Sequence, residues 1–249
     1  NEVFNYDVKI SQVSEVLNSL EKYDTSKRPL FNTRKPVSSD EFIRALEKND
    51  DVYDNVAKVL GLNKSFSELC SEDNKIEAAI LSLKPWRKYD IPLDMTETKY
   101  TDIIIGVIPS IVDINEMKSQ LFEITDRCFM DVIDSDKDQF YCSFICLTEE
   151  KEDIYELLKQ YGFSTVTFKD LSGTAAENIM QYENSLKEIS AKMDAVENSI
   201  TKLVSFKEEI QLYHDHLIIE RDKNKILSNM LKTDTTFYIE GWVPEVCKE

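Results

Sequence analysis

Between Gly173 and Gly241 the chain contains neither glycine nor proline. A stretch of that length without turn-forming residues reads as continuous helix. Within it Ile179, Tyr182, Leu186, Ile189, Met193, Val196, Ile200 and Leu203 recur at alternating spacings of three and four, the a/d pattern of a coiled coil. Phe206 follows after a second successive three before Ile210, Tyr213 and Leu217 resume the alternation. Such a stammer overwinds the coil locally. With Thr174 and Glu177 as a capping box, the expectation is one helix from 174 to about 232, roughly 87 Å long at about 1.5 Å per residue.

A helix with one narrow apolar seam must hide it against something. The seams available within the chain lie before Pro85. Tyr6, Ile10, Val13, Leu17 and Leu20 mark a first amphipathic helix ending near Tyr23, followed by a loop over 24–37 that holds Pro29 and Pro36. Ser38 and Glu41 form a capping box, and Phe42, Leu46, Tyr53, Val56 and Leu60 continue a helical stripe. Gly61 either ends that helix, with Ser65 and Glu68 capping the next, or sits inside one rod at a cost of about 1 kcal/mol. Phe66, Leu69, Ile76, Ile80 and Leu83 carry the seam on until Pro85 stops it. The outgoing and returning helices are therefore expected to zip into a long antiparallel hairpin, a coiled-coil rod.

From Thr101 the texture changes. Asp102 to Ile108 is rich in β-branched residues, Ile114, Met117, Leu121 and Ile124 mark a helix, and Phe129 to Ile133 and Gln139 to Leu147 read as strands. Ile154, Leu157, Leu158 and Tyr161 mark a second helix, and Ser164 to Phe168 a last strand. The order βαββαβ predicts a ferredoxin-like lobe at the tip of the rod, with both helices on one face of the sheet. Its first and third strands are apolar on both faces, so the second face needs the chain's own rod end or a partner to cover it. Tyr141 and Ile145, on that face, are the candidate partner-binding residues. The fold class is thus α+β.

The five cysteines, Cys70, Cys128, Cys142, Cys146 and Cys247, are odd in number and scattered, as in a reducing compartment. Cys128, Cys142 and Cys146 with His214 or His216 lack metal-ligand spacing; packed thiols are the expectation, with Cys142 and Cys146 facing the same side as Phe140 and Phe144. The acidic tract 131–138 lacks the pattern of a calcium loop and reads as a hairpin turn. No nucleophile, base or phosphate-loop motif stands out, so a non-catalytic protein without cofactor or metal is expected. A net charge of −17 argues against nucleic acid and anionic lipid as partners. The longest apolar run, Ile103 to Val112, is too short and too interrupted to span a bilayer. The chain opens at Asn1, as an excised or processed piece would.

Two strings fall outside rod and sandwich logic. Leu83-Lys84-Pro85-Trp86-Arg87-Lys88-Tyr89-Asp90-Ile91-Pro92-Leu93 follows the outgoing helix, and Thr236-Phe237-Tyr238-Ile239-Glu240-Gly241-Trp242-Val243-Pro244-Glu245 follows the returning one. Both resemble subunit I of the bacterial and archaeal V/A-type ATPases, the counterpart of V-ATPase subunit a. In that family an L-x-P-W-x-x-x-D-I-P-L string leads into an outer lobe and an F-x-x-E-G-W-V-P string re-enters an inner one. The order of parts is similar too, including the G-T-x-A-E-x-I helix start at Gly173, Thr174, Ala176, Glu177 and Ile179.

The resemblance implies a cytoplasmic N-terminal domain: 1–38 beside the inner lobe, 39–84 the outgoing rod, 85–173 the outer α/β lobe, 174–233 the returning rod and 234–249 the start of an inner-lobe strand. It implies a stator arm on the cytoplasmic face of the membrane, joining peripheral stalks of E and G subunits to the membrane-embedded C-terminal half, which the family carries downstream. Ion transport and ATP synthesis or hydrolysis would depend on that arm without being catalysed by it. Trp86, Gly241 and Trp242 are expected as structural anchors that fix the rod ends against the lobes. The alternative is a coiled-coil adaptor or hinge that dimerises through its α/β lobe.

Overall fold

The computed structural model describes residues 2–25, 36–38, 42, 49–229, 231–232 and 236–238. The chain is α+β and divides into two compact units, Asn1–Leu69 with Lys192–Glu249, and Cys70–Ala191. Both divisions fall inside helices.

The first unit is helical, with a small hairpin. Helix α1 (Glu2–Tyr23), the first part of α2 (Asn49–Leu83), the end of α5 (Ala175–Leu203) and α6 (Lys207–Asn229) share one core. Val13, Val16 and Leu20 of α1 meet Val52, Val56 and Val59 of α2 and Ile210, Tyr213 and Leu217 of α6 there. Helix α1 runs antiparallel to α6, and polar rungs recur every seven residues on both. Arg221 lies 3.6 Å from Asp7, the ring of His214 2.9 Å from the hydroxyl of Ser14, and Lys207 pairs with Glu21 and, at 2.7 Å, Asp24. A step of seven along α1 thus matches a step of seven back along α6. Strands β5 (Leu231–Lys232) and β6 (Phe237–Tyr238) pair antiparallel.

Several sequence expectations change here. Gly61 is inside α2, so Ser65 starts no helix, and Lys64 instead reaches Glu68 at 3.9 Å along the exposed surface. Tyr53 is exposed, and its place in the seam belongs to Val52 and Val59. The expected single returning helix is two, α5 and α6, separated by a 3₁₀ turn at Val204–Phe206, where the spacing slips. Three residues per turn is the overwound state that two successive threes demand, and it swings Phe206 out of the seam. Helix α6 ends at Asn229, and Leu231–Lys232 is strand. Glu41, Leu46, Gly241 and Trp242, with most of 24–37, lie outside the described residues.

The second unit contains a four-stranded antiparallel sheet in the order β2-β3-β1-β4, with β1 Thr101–Pro109, β2 Phe129–Ser135, β3 Gln139–Leu147 and β4 Ser164–Thr165. Strand β1 pairs with β3 from Thr101 opposite Leu147 to Pro109 opposite Gln139. The β2–β3 register shifts between Val132 and Asp134, a bulge. Helices α3 (Ile114–Ile124) and α4 (Lys151–Gln160) cover one face. Asp113 caps α3, accepting from the backbone N–H of Asn115 at 2.8 Å. Met117, Leu121, Ile154 and Leu158 bury against Ile104, Ile108, Cys142, Phe144 and Cys146. The thiols of Cys142 and Cys146 therefore share a side with Phe144, as alternation along the strand requires.

Strand β4 is shorter than the expected Ser164 to Phe168. After one more bond, from Val166 N–H to the Ile105 carbonyl at 2.9 Å, the chain leaves the ladder and Phe168 turns to the opposite face. Gly106 makes the β1–β4 approach possible: a Cβ there would stand 2.3 Å from the Phe163 ring and from the Ser164 carbonyl. At the sheet margin Asp102 is buried, and its carboxylate accepts from Lys151 Nζ. That charge-assisted bond holds its pKa below the usual carboxylate range.

Candidate functional site

The Leu83–Leu93 string and the Gly173 helix start, ninety residues apart in sequence by their first members (173 − 83 = 90), meet in the second unit. Pro85 ends α2 at Leu83 and turns the chain through a 3₁₀ segment, Lys84–Trp86. The indole of Trp86 then lies beneath the sheet face that α3 and α4 leave uncovered. It is 2% exposed and meets three rings edge to face: Tyr141 at 5.5 Å, Phe168 at 5.8 Å and Tyr89 at 6.5 Å between centroids. Aromatic pairs favour that geometry because a positive ring edge faces a negative ring face. Leu83, Leu93, Ile133, Ala175 and Ile179 complete the core, with Ile105 and Val107 from β1 packed against it.

Backbone bonds tie the two strings together. Leu93 N–H donates to the Gly173 carbonyl at 2.8 Å, and Gly173 N–H donates to the Asp94 carboxylate at 3.1 Å. Gly173 has a φ of 76°, a left-handed conformation that disfavours a side chain, and a Cβ there would stand 2.7 Å from Glu177 Oε2. The capping box is reciprocal: Thr174 N–H donates to Glu177 at 2.8 Å and Glu177 N–H to the Thr174 hydroxyl at 3.2 Å. The bond from the Thr174 N–H to its carboxylate lowers the Glu177 pKa. Asn178, buried, donates to the carbonyls of Ser172 at 2.8 Å and Thr174 at 2.9 Å.

The site's chemistry is that of a structural joint. Burial, with Asp90 alongside, pushes the Tyr89 phenol up to about 12, so it stays neutral in an apolar setting. Burial likewise pushes the Cys128 and Cys142 thiols up to about 12, which makes them poor nucleophiles at neutral pH. Asp136, in the acidic tract, accepts from Asp138 N–H, Gln139 N–H and the Tyr141 hydroxyl, each at 2.8 or 2.9 Å, and so closes its own turn. Among the described residues no group of three or more His, Cys, Asp and Glu is placed to hold a metal ion.

Of the residues singled out from sequence, Trp86 is at the centre of the joint. Tyr141 is half-buried there, between the Trp86 ring and Asp136. Ile145 lies farther along the same face in a cross-strand row with Ile103 and Phe129, the last 62% exposed. Tyr89, Phe168 and the Leu93–Gly173 bond were not foreseen. The one sequence signal for them was an excess of aromatics around two prolines and a glycine.

No protein-family model matches the chain. The A-type ATP synthase subunit I of Methanocaldococcus jannaschii is 24% identical over 253 residues, covering 95% of this chain and 36% of that protein. The chain is homologous to A-type ATP synthase subunit I. The subunit I of Methanothermobacter thermautotrophicus is 23% identical over 172 residues, 68% of this chain and 26% of its own length. The chain therefore spans about a third or less of these two subunit I relatives. A solved structure, the cytoplasmic N-terminal domain of subunit I, homologue of subunit a, of V-ATPase, aligns with 90% of this chain and 74% of its own at a TM-score of 0.48 and 13% identity. Among the described residues no helix is long and apolar enough to cross a membrane.

Proposed function

We propose that this chain is the cytoplasmic stator arm of a rotary V/A-type ATPase, a non-catalytic part that holds peripheral stalks of E and G subunits to the membrane-embedded, ion-translocating half of subunit I. The alignment with subunit I along 95% of the chain carries this reading. A motor that turns a rotor needs a fixed frame, and stiffness in a frame comes from paired helices and locked joints. The ladder of three rungs seven residues apart, from Asp7–Arg221 to Glu21–Lys207, supports a coiled-coil arm built from the helices on either side of the lobe. The strand order β2-β3-β1-β4, antiparallel throughout, supports a ferredoxin-like lobe over 85–173. Trp86 anchors that lobe to its own helices, and Gly241 and Trp242 are proposed to do the same at the inner lobe.

The stalk contact is proposed at the apolar row of Ile145, Ile103 and Phe129, with Tyr141 supporting it from the Trp86 side. The chain's net charge of −17 would attract a stalk with basic helices. The test is capture of the E and G subunits by the full-length subunit in its complex. Wild type should retain both stalk subunits, and Ile145→Glu should release at least one of them. Retention unchanged by Ile145→Glu moves the dock elsewhere; failure of wild type to bind either subunit, with self-association through the lobe, replaces the stator by a dimerising hinge.

A further inference from the structure

Two free cysteines of the lobe stand opposite each other across the β2–β3 pairing. Met130 faces Phe144 and Phe129 faces Ile145, so one further step sets Cys128 against Cys146. Alternation puts both on the helix-covered side, where Cys146 is buried in the core and Cys128, Met130 and Val132 pack against it. Their nearness also shows in the Cys128 pKa, which burial raises and the charge of Cys146 raises further.

The kind of pair follows from bonds at the two ends of the β1–β3 ladder. Ser110 N–H donates to the Asp138 carbonyl at 2.9 Å, and Thr148 N–H donates to the Tyr100 carbonyl at 3.1 Å. The β1–β3 register is unbroken between them, so even-numbered residues of β3 turn their backbone bonds to β1 and odd-numbered ones to β2. Phe129–Ile145 is therefore a hydrogen-bonded pair and Cys128–Cys146 a non-hydrogen-bonded one, the kind whose Cα atoms lie about 4.5 Å apart. A disulfide needs Cα atoms roughly 4.4–6.8 Å apart. The approach is fastened on its other side too. The Thr125 hydroxyl donates to the Glu150 carboxylate at 2.8 Å, the Arg127 guanidinium pairs with the same carboxylate, and Arg127 N–H donates to the Thr125 hydroxyl at 3.0 Å. Cys128 is thus held between this clamp and the ladder. In the reduced chain each sulfur turns aside, Cys146 Sγ toward the Asp102 carbonyl and Cys128 Sγ toward the Phe129 carbonyl, both at 3.9 Å. Closure needs the side chains to turn, with the strands already in place.

We propose that Cys128 and Cys146 form a redox-modifiable dithiol, which a small-molecule disulfide such as oxidised glutathione closes into a cross-strand disulfide. Cys128, half-buried on the edge strand's margin, loses its proton and attacks one sulfur of the oxidant. The oxidant's S–S bond breaks, a mixed disulfide forms on Cys128, and one thiolate leaves and takes up a proton. Cys146 then attacks the Cys128 sulfur and expels the second thiolate. Two protein thiols are oxidised and one disulfide is reduced to two thiols. Burial holds both pKa values high, so the exchange is slow in the folded chain. The bond staples edge strand β2 to β3 one residue from Phe129 and Ile145. It does not depend on the motor assignment.

Incubation of the whole chain in glutathione redox buffers to constant composition, followed by blocking of free thiols and peptide mapping, tests the pair. Wild type should become lighter by about 2 Da, with Cys128 linked to Cys146 as the main product. Cys146→Ala should stop at a mixed glutathione disulfide on Cys128. In a chain carrying Cys70→Ser, Cys142→Ala and Cys247→Ser, the equilibrium constant for closing the remaining pair should be at least about tenfold larger folded than in denaturant, because folding has already brought the sulfurs together. A folded constant equal to or below the unfolded one would overturn the proposal. So would another cysteine pair as the main link in folded wild type, or a Cys146→Ala chain that still loses two hydrogens as wild type does.

Discussion

The α/β lobe and the helical unit solve the same burial problem with different materials. In the lobe, rings and long aliphatic side chains fill both faces of one sheet, and Trp86 alone meets three other aromatics. In the helical unit, valines, isoleucines and leucines with Tyr213 make a thin seam, and charged or hydroxyl rungs at every second turn set its alignment. A thick apolar core stabilises strongly and is indifferent to salt. A thin seam with polar rungs stabilises less per residue but specifies register.

The largest test of that contrast removes the indole. Trp86→Ala should destabilise the lobe by about 4 kcal/mol, through lost burial and the cavity left among Tyr89, Tyr141 and Phe168. In a denaturant titration the sheet signal should move to lower denaturant while the α1–α6 pair, followed by a probe on α1, unfolds where it did before. Coincident shifts of both would mean that the two regions fold as one. Gly106→Ala should cost about 2 kcal/mol by overpacking, because neither the Phe163 ring nor the Ser164 backbone can retreat without moving β4. Its midpoint should be insensitive to salt.

The helical unit should respond in the opposite sense. Lys207→Met keeps the buried stem and removes the cation between Glu21 and Asp24, leaving two carboxylates close together, at a cost of about 2 kcal/mol. Added salt should recover part of that loss, whereas it should recover none of the loss in Trp86→Ala. The smallest mutational effect is Thr174→Ala, about 1 kcal/mol for the lost cap, seen as fraying of the first turn of α5 in hydrogen exchange.

One ionic contact in the lobe sharpens the comparison further. Asp102 has a folded pKa below its unfolded value, so the stability it contributes is full above about pH 4 and fades as pH falls through the folded value. Lys151 has its pKa raised by the same bond, so its contribution is full below about pH 10 and fades as pH rises through the folded value. Asp102→Asn should flatten the acid limb of the lobe's stability curve and leave the neutral region lower. A curve unchanged below pH 4 would show that the bond carries no linkage.

Much of this was legible in residue spacing. The alternation along β1 and β3 showed that Ile104 shares a side with Ile108 and Cys142 with Phe144, because period two leaves no freedom about it; with both sides apolar, only the structure shows that the helices cover this one. The Thr174–Glu177 box was readable because its two bonds are local. What spacing left open had physical causes. Tyr53 and Val52 differ by one position on a helix, a rotation of about 100° that a sparse three-four pattern does not resolve. Gly61 costs too little to predict a break, and packing of Val56 and Val59 just before it outweighs that cost. The Trp86 joint was hidden because its rings come from three separate places in the chain, and only the fold brings Tyr141 and Phe168 over Trp86. The stammer at Phe206 did announce an irregularity; that it would become a 3₁₀ turn required knowing how closely the neighbouring helix is packed.

The bulge at Val132/Asp134 reaches past the lobe's own geometry. An open sheet presents two raw borders, each a ready template for another chain to polymerise on. Here one border is kinked and bears Asp131, and the other is a strand of two residues, too brief to nucleate an addition. Sheet borders finished in this way give another chain little to pair with.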